Sequence, residues 1–145
     1  MTYTLKKLLT EDDWNAYNAI RKAELFPDRD YDLNHPDERL PDNHPLLLKF
    51  NDTPIATVRV DFRGDKVILR LLAVTKSEQG KKHGTNLYKH IEQYCISHGA
   101  KKLLVNAAPD AVGFYQKIGF TEEIWDQSEL QGIAENCIQM ARIIR

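Results

Sequence analysis

Cysteine is scarce in this 145-residue chain: only Cys95 and Cys137 occur, far apart and without CxxC spacing. A disulfide framework is therefore excluded, and two reduced, mostly buried thiols in a cytoplasmic protein are expected. Long apolar runs are absent, so nothing is read as a membrane span, and MTYTLKKLLT is too short and polar for a signal peptide. Neither sign of charge dominates: the net charge is −1. No global field then draws the chain to nucleic acid or membrane, and any anion site must be local. Repeats, low-complexity tracts and interdomain linkers are also missing. One domain over residues 1–145 follows, long enough to bury a real core.

What is present is an alternation of strand and helix patterns. Tyr3 to Leu8 reads as an edge strand. Thr10 and Asp13 form a T-x-x-D cap before a helix that carries Trp14, Tyr17 and Ile20 and ends near Phe26-Pro27. From Asp28 to Pro45 the chain is polar and proline-rich, a long loop of the kind that shapes binding sites. Strands follow at Leu46–Asp52, Ile55–Phe62 and Val67–Val74, the last nearly all apolar. Leu87, Ile91, Tyr94 and Cys95 form one helical face that Gly99 terminates. A short strand at Lys102–Asn106, a helix opened by Pro109, and strands at Phe120–Trp125 and Cys137–Ile144 complete the order. Three consecutive strands followed by strand–helix–strand–helix–strand predict a mixed α+β sheet with helices on its faces.

The most informative stretch is SEQGKKHGTNLYKHIE, Ser77 to Glu92. Two lysines, a histidine and two glycines crowd into the turn that opens an amphipathic helix. The first helical N–H groups lack internal partners, and the macrodipole adds about half a positive charge there. Gly80 and Gly84 let the backbone approach closely, Lys81 and Lys82 add charge, and Thr85 can donate a hydroxyl. The whole suits a diphosphate. A P-loop is excluded because Thr85 and Asn86 follow Gly84, and a GxGxxG fingerprint is absent.

Gln79-Gly80-Lys81-Lys82-His83-Gly84 resembles the acyl-CoA motif of the GNAT N-acetyltransferase superfamily, and AVGFYQKIGF resembles that family's fourth helix and following strand. The likeness runs from about Val58 to Glu122. It implies a three-layer α/β/α fold of α+β class, with a mixed, mostly antiparallel sheet of six to seven strands and about four helices. It also implies acetyl-CoA as co-substrate, no metal, and transfer to a small-molecule primary amine by direct attack through a tetrahedral intermediate. Cofactor contacts carry over to Leu72, Ala73, Val74, Gln79, Gly80, Lys81, Lys82, His83, Gly84 and Thr85. The backbone N–H of Val74 is the candidate oxyanion donor and Leu72 the partner of the pantetheine arm. Lys82 stands where the family usually has a glycine, and its N–H can still face a phosphate if φ is negative. Ala108 stands where the family often has asparagine, and Asn106 is the candidate replacement. Tyr115 is the candidate acid toward the departing thiolate, with a plain core role as the competing reading.

An alkylamine of pKa about 10 must lose a proton before it attacks. No acid lies on Val67–Val74. If Phe62 pairs with Val67, Arg59 opposes Arg70 and Asp61 opposes Ile68. Arg59, Asp61 and Arg70 then share one face, with Val58, Val60, Leu69 and Leu71 on the other. Two readings follow. Asp61 and a loop acid neutralise the arginines, or the arginines receive an acidic, amino-acid-like acceptor. Asp61, His35 and His44 are candidates to relay the amine proton, and both histidines are candidate acceptor contacts. Asp28, Asp30 and Asp32 have EF-hand spacing, but Leu33 and Arg39 stand where glycine and glutamate are needed. A non-catalytic CoA sensor on the same fold is the alternative function, and the last strand is a candidate homodimer contact.

Overall fold

The computed structural model describes residues 2–28, 30–31 and 35–144, so Asp32 and Leu33 of the aspartate-rich stretch lie outside the described residues. Seven strands form one sheet: β1 (Tyr3–Lys7), β2 (Asn43–Phe50), β3 (Thr53–Arg63), β4 (Lys66–Val74), β5 (Lys102–Ala107), β6 (Thr121–Glu122) and β7 (Ile138–Ile143). Their order is β1-β2-β3-β4-β5-β7-β6, and only the β4–β5 pair is parallel. A parallel pair needs a crossover, which α2 (Gly84–Ser97) supplies. Helix α1 (Glu11–Leu25) covers one face through Ile20 against Leu47 and Ala73. The other face carries the main core, where Leu87, Ile91 and Cys95 of α2 and Tyr115 of α3 (Val112–Lys117) meet Leu46, Val58, Val67, Leu69, Leu103 and Met140. The three-layer α+β architecture is the expected one, with three α-helices where about four were expected.

Three local expectations need correction. Strand β2 begins at Asn43, not Leu46, and holds Pro45 opposite Arg59. The proline is tolerated because the pairing of β1 with β2 stops at Lys7–Leu46, leaving no neighbour on that side to miss its N–H. The strand expected over Phe120–Trp125 is confined to β6, because the Trp125 N–H donates to Gln139 Oε1 and its indole Nε1–H to the Val105 carbonyl. Pro109 opens a 3-10 turn, and α3 starts only at Val112.

The cap of α1 forms as its residues dictate. Thr10 accepts the Asp13 N–H, and the Asp13 carboxylate accepts the N–H groups of Thr10 and Leu9 and pairs with Lys6. These contacts hold the Asp13 carboxyl down to about 2, the Leu9 amide contributing most and burial opposing. A depressed carboxyl stabilises the fold fully above its ordinary value and loses that contribution as pH falls through its folded value. Asp13→Asn is therefore expected to flatten the stability loss between about pH 4 and pH 2. Acid unfolding followed by circular dichroism reads this directly, and parallel curves for the two proteins contradict it.

Candidate functional site

The two-residue turn Gly64-Asp65 fixes the β3–β4 register, and Phe62 pairs with Val67, Asp61 with Ile68, and Arg59 with Arg70, as the sequence implies. Further along, Thr57 pairs with Ala73, so the register shifts by one residue. The extra residue is at Leu71, whose φ is +55°, a left-handed value that a branched apolar residue rarely holds. The bulge inverts the alternation of faces. Ile68 lies in one cluster with Leu104 and Trp125, Ala73 packs against α1, and Leu72 and Val74 join the opposite core. Leu71 therefore does not continue the face of Leu69 as simple alternation suggested. Pairing of β4 with β5 also stops here, at Leu69–Val105. The indole of Trp125 takes the Val105 carbonyl at that point. Beyond it β4 and β5 diverge, and a gap opens through the sheet.

Two cavities meet at this gap. The first, about 980 Å³, runs from Gln79, Gly80, Lys82, Gly84 and Thr85 past Phe114 to Leu72, Val74 and Tyr115. The second, about 400 Å³, lies beyond and is lined by Leu25, Arg70, Leu71, Asn106, Glu129 and Cys137, among others. Leu72, Ala111 and Tyr115 border both. Thr75 donates to the Ile55 carbonyl of β3, so the N–H of Val74, one residue earlier, faces the gap. The Val74 carbonyl shares that edge and accepts Gln79 Nε2–H at 2.9 Å. Alternation places the Leu72 N–H on the same edge, with Ala73 turned to β3.

In the turn, Gly80 has φ +80° and Lys82 φ +64°. The condition of a negative φ at Lys82 is therefore not met: this lysine adopts the left-handed conformation itself. Alternation of hand along a turn curls successive N–H groups inward, the geometry of an anion nest. Lys81 is tethered to Glu78 at 2.9 Å. His83 is buried, not solvated: Nδ1 meets the Tyr3 hydroxyl at 2.6 Å and Nε2 meets Glu78 at 3.1 Å. Gly84 opens α2, and a Cβ there would lie 2.9 Å from Phe114 Cε1. Tyr115 is 7% exposed, its ring among Phe114 and Phe120, and desolvation pushes its hydroxyl up to about 12.

The arginines stand in a buried ion network on the α1 face. Arg59 holds Asp61 bidentately at 2.8 and 2.9 Å and reaches Glu38 at 3.4 Å. Arg70 Nε donates to Asp61 at 2.6 Å, and its two terminal nitrogens donate to Glu129 at 2.6 and 3.0 Å. Arg21 and the Tyr17 hydroxyl bind Glu38 from α1. Three arginines thus face Glu38, Asp61 and Glu129, with the more exposed Arg63 reaching Asp61 at 3.8 Å as a fourth. Burial pulls the Arg70 pKa down, but its bonds to Glu129 and Asp61 outweigh this and raise it, while Arg70 lowers that of Glu129. Asn106 donates to Glu129 at 3.3 Å and accepts from Gln139 at 3.0 Å. Of the residues expected to touch an acceptor, Arg70 lines the second cavity and Arg59 stands behind it. His35 is exposed and accepts the Asp37 N–H. His44 sits with Phe62, Tyr94 and His98 on the opposite face of the sheet from Arg59, where burial lowers its pKa. Sequence reasoning did not name Glu38, Glu129 or Gln139. Two are acids on 3-10 turns, where no periodicity marks them.

A mixed sheet splayed beside a glycine-punctuated turn and a helix N-terminus defines an acyl-CoA transferase fold. Residues 7–120 match the family described as Acetyltransferase (GNAT) family, and the chain belongs to it and is an acyltransferase. It is 35% identical over 134 residues to glucosamine 6-phosphate N-acetyltransferase of Candida albicans, covering 83% of this chain and 90% of that one. Its fold is similar to that of the ribosomal-protein-S18-alanine N-acetyltransferase of Escherichia coli, with a TM-score of 0.76, 19% identity and coverage of 99% and 94%. It is also similar to PaiA N-acetyltransferase of Thermoplasma acidophilum in complex with coenzyme A, with a TM-score of 0.69, 17% identity and coverage of 99% and 100%.

Proposed function

We propose that this chain is an acetyl-CoA-dependent N-acetyltransferase that acetylates the primary amine of a small molecule directly. The observation that carries the reading is the continuity of the two cavities through the β4–β5 gap, with Leu72 and Tyr115 on both sides of the junction. Acetyl-CoA supplies the activated acetyl group as a thioester. The residues fit it: the nest at Gly80 and Lys82 and the first amides of α2 suit a diphosphate, and the edge of β4 suits an extended amide-bearing arm. The N–H of Val74 supplies a fixed donor for the oxygen that gains charge as the amine nitrogen bonds to the carbonyl carbon. Tyr115 is protonated at the outset and gives its hydroxyl hydrogen to the sulfur as the carbon–sulfur bond breaks, and the amine proton returns through water to the phenol oxygen. His83, through Tyr3 and Glu78, positions the turn.

Calorimetry with acetyl-CoA, followed by free-thiol release in the presence of amines, tests the reading. Wild type is expected to bind and to release thiol. Gly84→Val crowds Phe114 and the cradle and is expected to weaken acetyl-CoA binding by about tenfold or more, equivalent to about 1.4 kcal/mol. A folded wild type that gives no heat with acetyl-CoA overturns the proposal. One that binds but never releases thiol is instead a sensor.

A further inference from the structure

Resting on that reading, we infer that the Arg70–Glu129 pair is the acceptor anchor of the second cavity. The site takes an amine on an apolar body, hydrogen-bonded through its nitrogen to Glu129, and rejects acceptors that carry a carboxylate or phosphate.

The charge count comes first. Among the described lining residues of this cavity, Arg70 is the one cation and Glu129 the one anion. Both terminal nitrogens of Arg70 are spent on Glu129, and its Nε is spent on Asp61. Three of its five N–H donors are thus engaged, and the two left over are not neighbours, so an acceptor carboxylate entering here finds no free pair for a bidentate grip. It would have to displace Glu129, leaving that carboxylate half-buried beside the newcomer, and like charges in a partly dry site repel strongly.

The loop that carries Glu129 is fixed rather than poised to leave. Gln139 is buried on β7, accepts the N–H groups of both Trp125 and Asp126, and donates to the Asp126 carbonyl. The same side chain orients Asn106, whose amide donates to Glu129. Glu129 is therefore set from two strands at once, as a built element of the pocket wall. Its carboxylate uses three acceptor positions on Arg70 and Asn106, and a carboxylate offers about four. The remaining one serves an incoming N–H.

The pairing also suits the chemistry. A lone carboxylate would hold the acceptor as an ammonium and raise its pKa, against the needs of attack. With Arg70 directly behind it, Glu129 presents a nearly neutral pair that orients the nitrogen without locking its proton in place. Most of the remaining wall, Leu25, Leu69, Leu71, Leu72, Val105 and Ala108 among it, is apolar, and besides the charged pair only Asn106, Tyr115 and Cys137 among the described lining residues carry polar side-chain groups.

The experiment compares phenethylamine, phenylalanine and glucosamine 6-phosphate as acceptors under saturating acetyl-CoA, with acetyl-CoA binding measured first on every variant. Wild type is expected to use phenethylamine with a kcat/KM at least tenfold above either acidic acceptor. Glu129→Gln is expected to lower the phenethylamine kcat/KM by about tenfold or more, mainly through KM. Its acetyl-CoA affinity should stay close to wild type, its melting temperature should fall by less than that of Asp61→Asn because the Arg70–Glu129 pair is partly exposed, and Glu129→Asp should recover part of the loss. Preference for an acidic acceptor overturns the inference. So does a gain on acidic acceptors in Glu129→Gln, which would make Glu129 a surrogate for the acceptor acid. Acetyl-CoA binding with no turnover of phenethylamine overturns it as well. Loss of acetyl-CoA binding in wild type is a different result, because it removes the enzyme reading itself.

Discussion

Tyr115→Phe is expected to lower kcat by about a hundredfold while leaving acetyl-CoA affinity within about twofold of wild type, because a positioned proton donor contributes roughly 10²–10⁴. The ring is half of the argument. Tyr115 packs against Phe114 and Phe120 within the main core, and phenylalanine keeps those contacts. Its hydroxyl makes no hydrogen bond to the described residues, so its removal orphans no partner, and the melting temperature should hold. The hydroxyl's ionisation is the other half. With its pKa pushed up to about 12 by desolvation, the phenol is a poor proton source in isolation. Complete transfer to a thiolate of ordinary pKa about 8.5 is uphill by more than 3 units, or about 5 kcal/mol. Return of the amine proton to the phenol oxygen through water offsets that cost, so a short hydrogen bond to the leaving sulfur suffices. It follows that Tyr115 should produce no descending limb in the pH–rate profile at ordinary basic pH. The profile of kcat/KM should keep rising toward pH about 10 as the amine deprotonates, with no fall on the way. A profile that falls between pH 8 and 10 in wild type but not in Tyr115→Phe would show a phenol that ionises there, contrary to its burial.

The face shared by Arg59, Asp61 and Arg70 was legible because a short turn pins the hairpin register, and a period of two does the rest. The sharp basic turn ahead of α2 was legible because glycines and lysines cluster directly before an amphipathic helix. What escaped notice has a common physical reason. The bulge at Leu71 is held by the surrounding sheet, not by a glycine, so nothing local marks the point where the faces exchange. Lys82 likewise adopts a glycine-like φ without being glycine. Glu38 and Glu129 reach the network from turns 21 residues before Arg59 and 59 residues after Arg70, and only tertiary packing brings them there. A loop acid to neutralise the arginines could be anticipated as a necessity of burial, but its identity could not. Pro45 concealed the start of β2 because its harmlessness depends on where β1 ends.

Asp61→Asn is expected to cost about 3–5 kcal/mol of stability, the range for breaking a buried ion pair from one side. Asp61 is 1% exposed and receives Arg59 on two oxygens and Arg70 on one. Asparagine keeps the shape but not the charge, and its amide group sets donors against guanidinium donors. Arg59 and Arg70 then share two acids, Glu38 and Glu129, with Arg21 as a third claimant, and the more exposed Arg63 loses its pairing with residue 61. In a chain of this size each kcal/mol moves the melting temperature by about 2–4 °C, so a fall of roughly 6–20 °C is expected in a thermal scan. Burial of another kind would give a different pattern, and a double variant separates them. If the loss is charge imbalance, Asp61→Asn combined with Arg59→Met should recover part of it, since removing both partners spares the uncompensated charge. Simple additivity of the two losses would contradict the network. The functional echo should be specific. Arg70 is aimed by Asp61 and in turn holds Glu129, so Asp61→Asn should raise KM for the amine while leaving acetyl-CoA affinity unchanged. An effect on both substrates alike would mean that the α1 face and the diphosphate turn are not separate, and that the network supports the whole sheet and not the acceptor pocket alone.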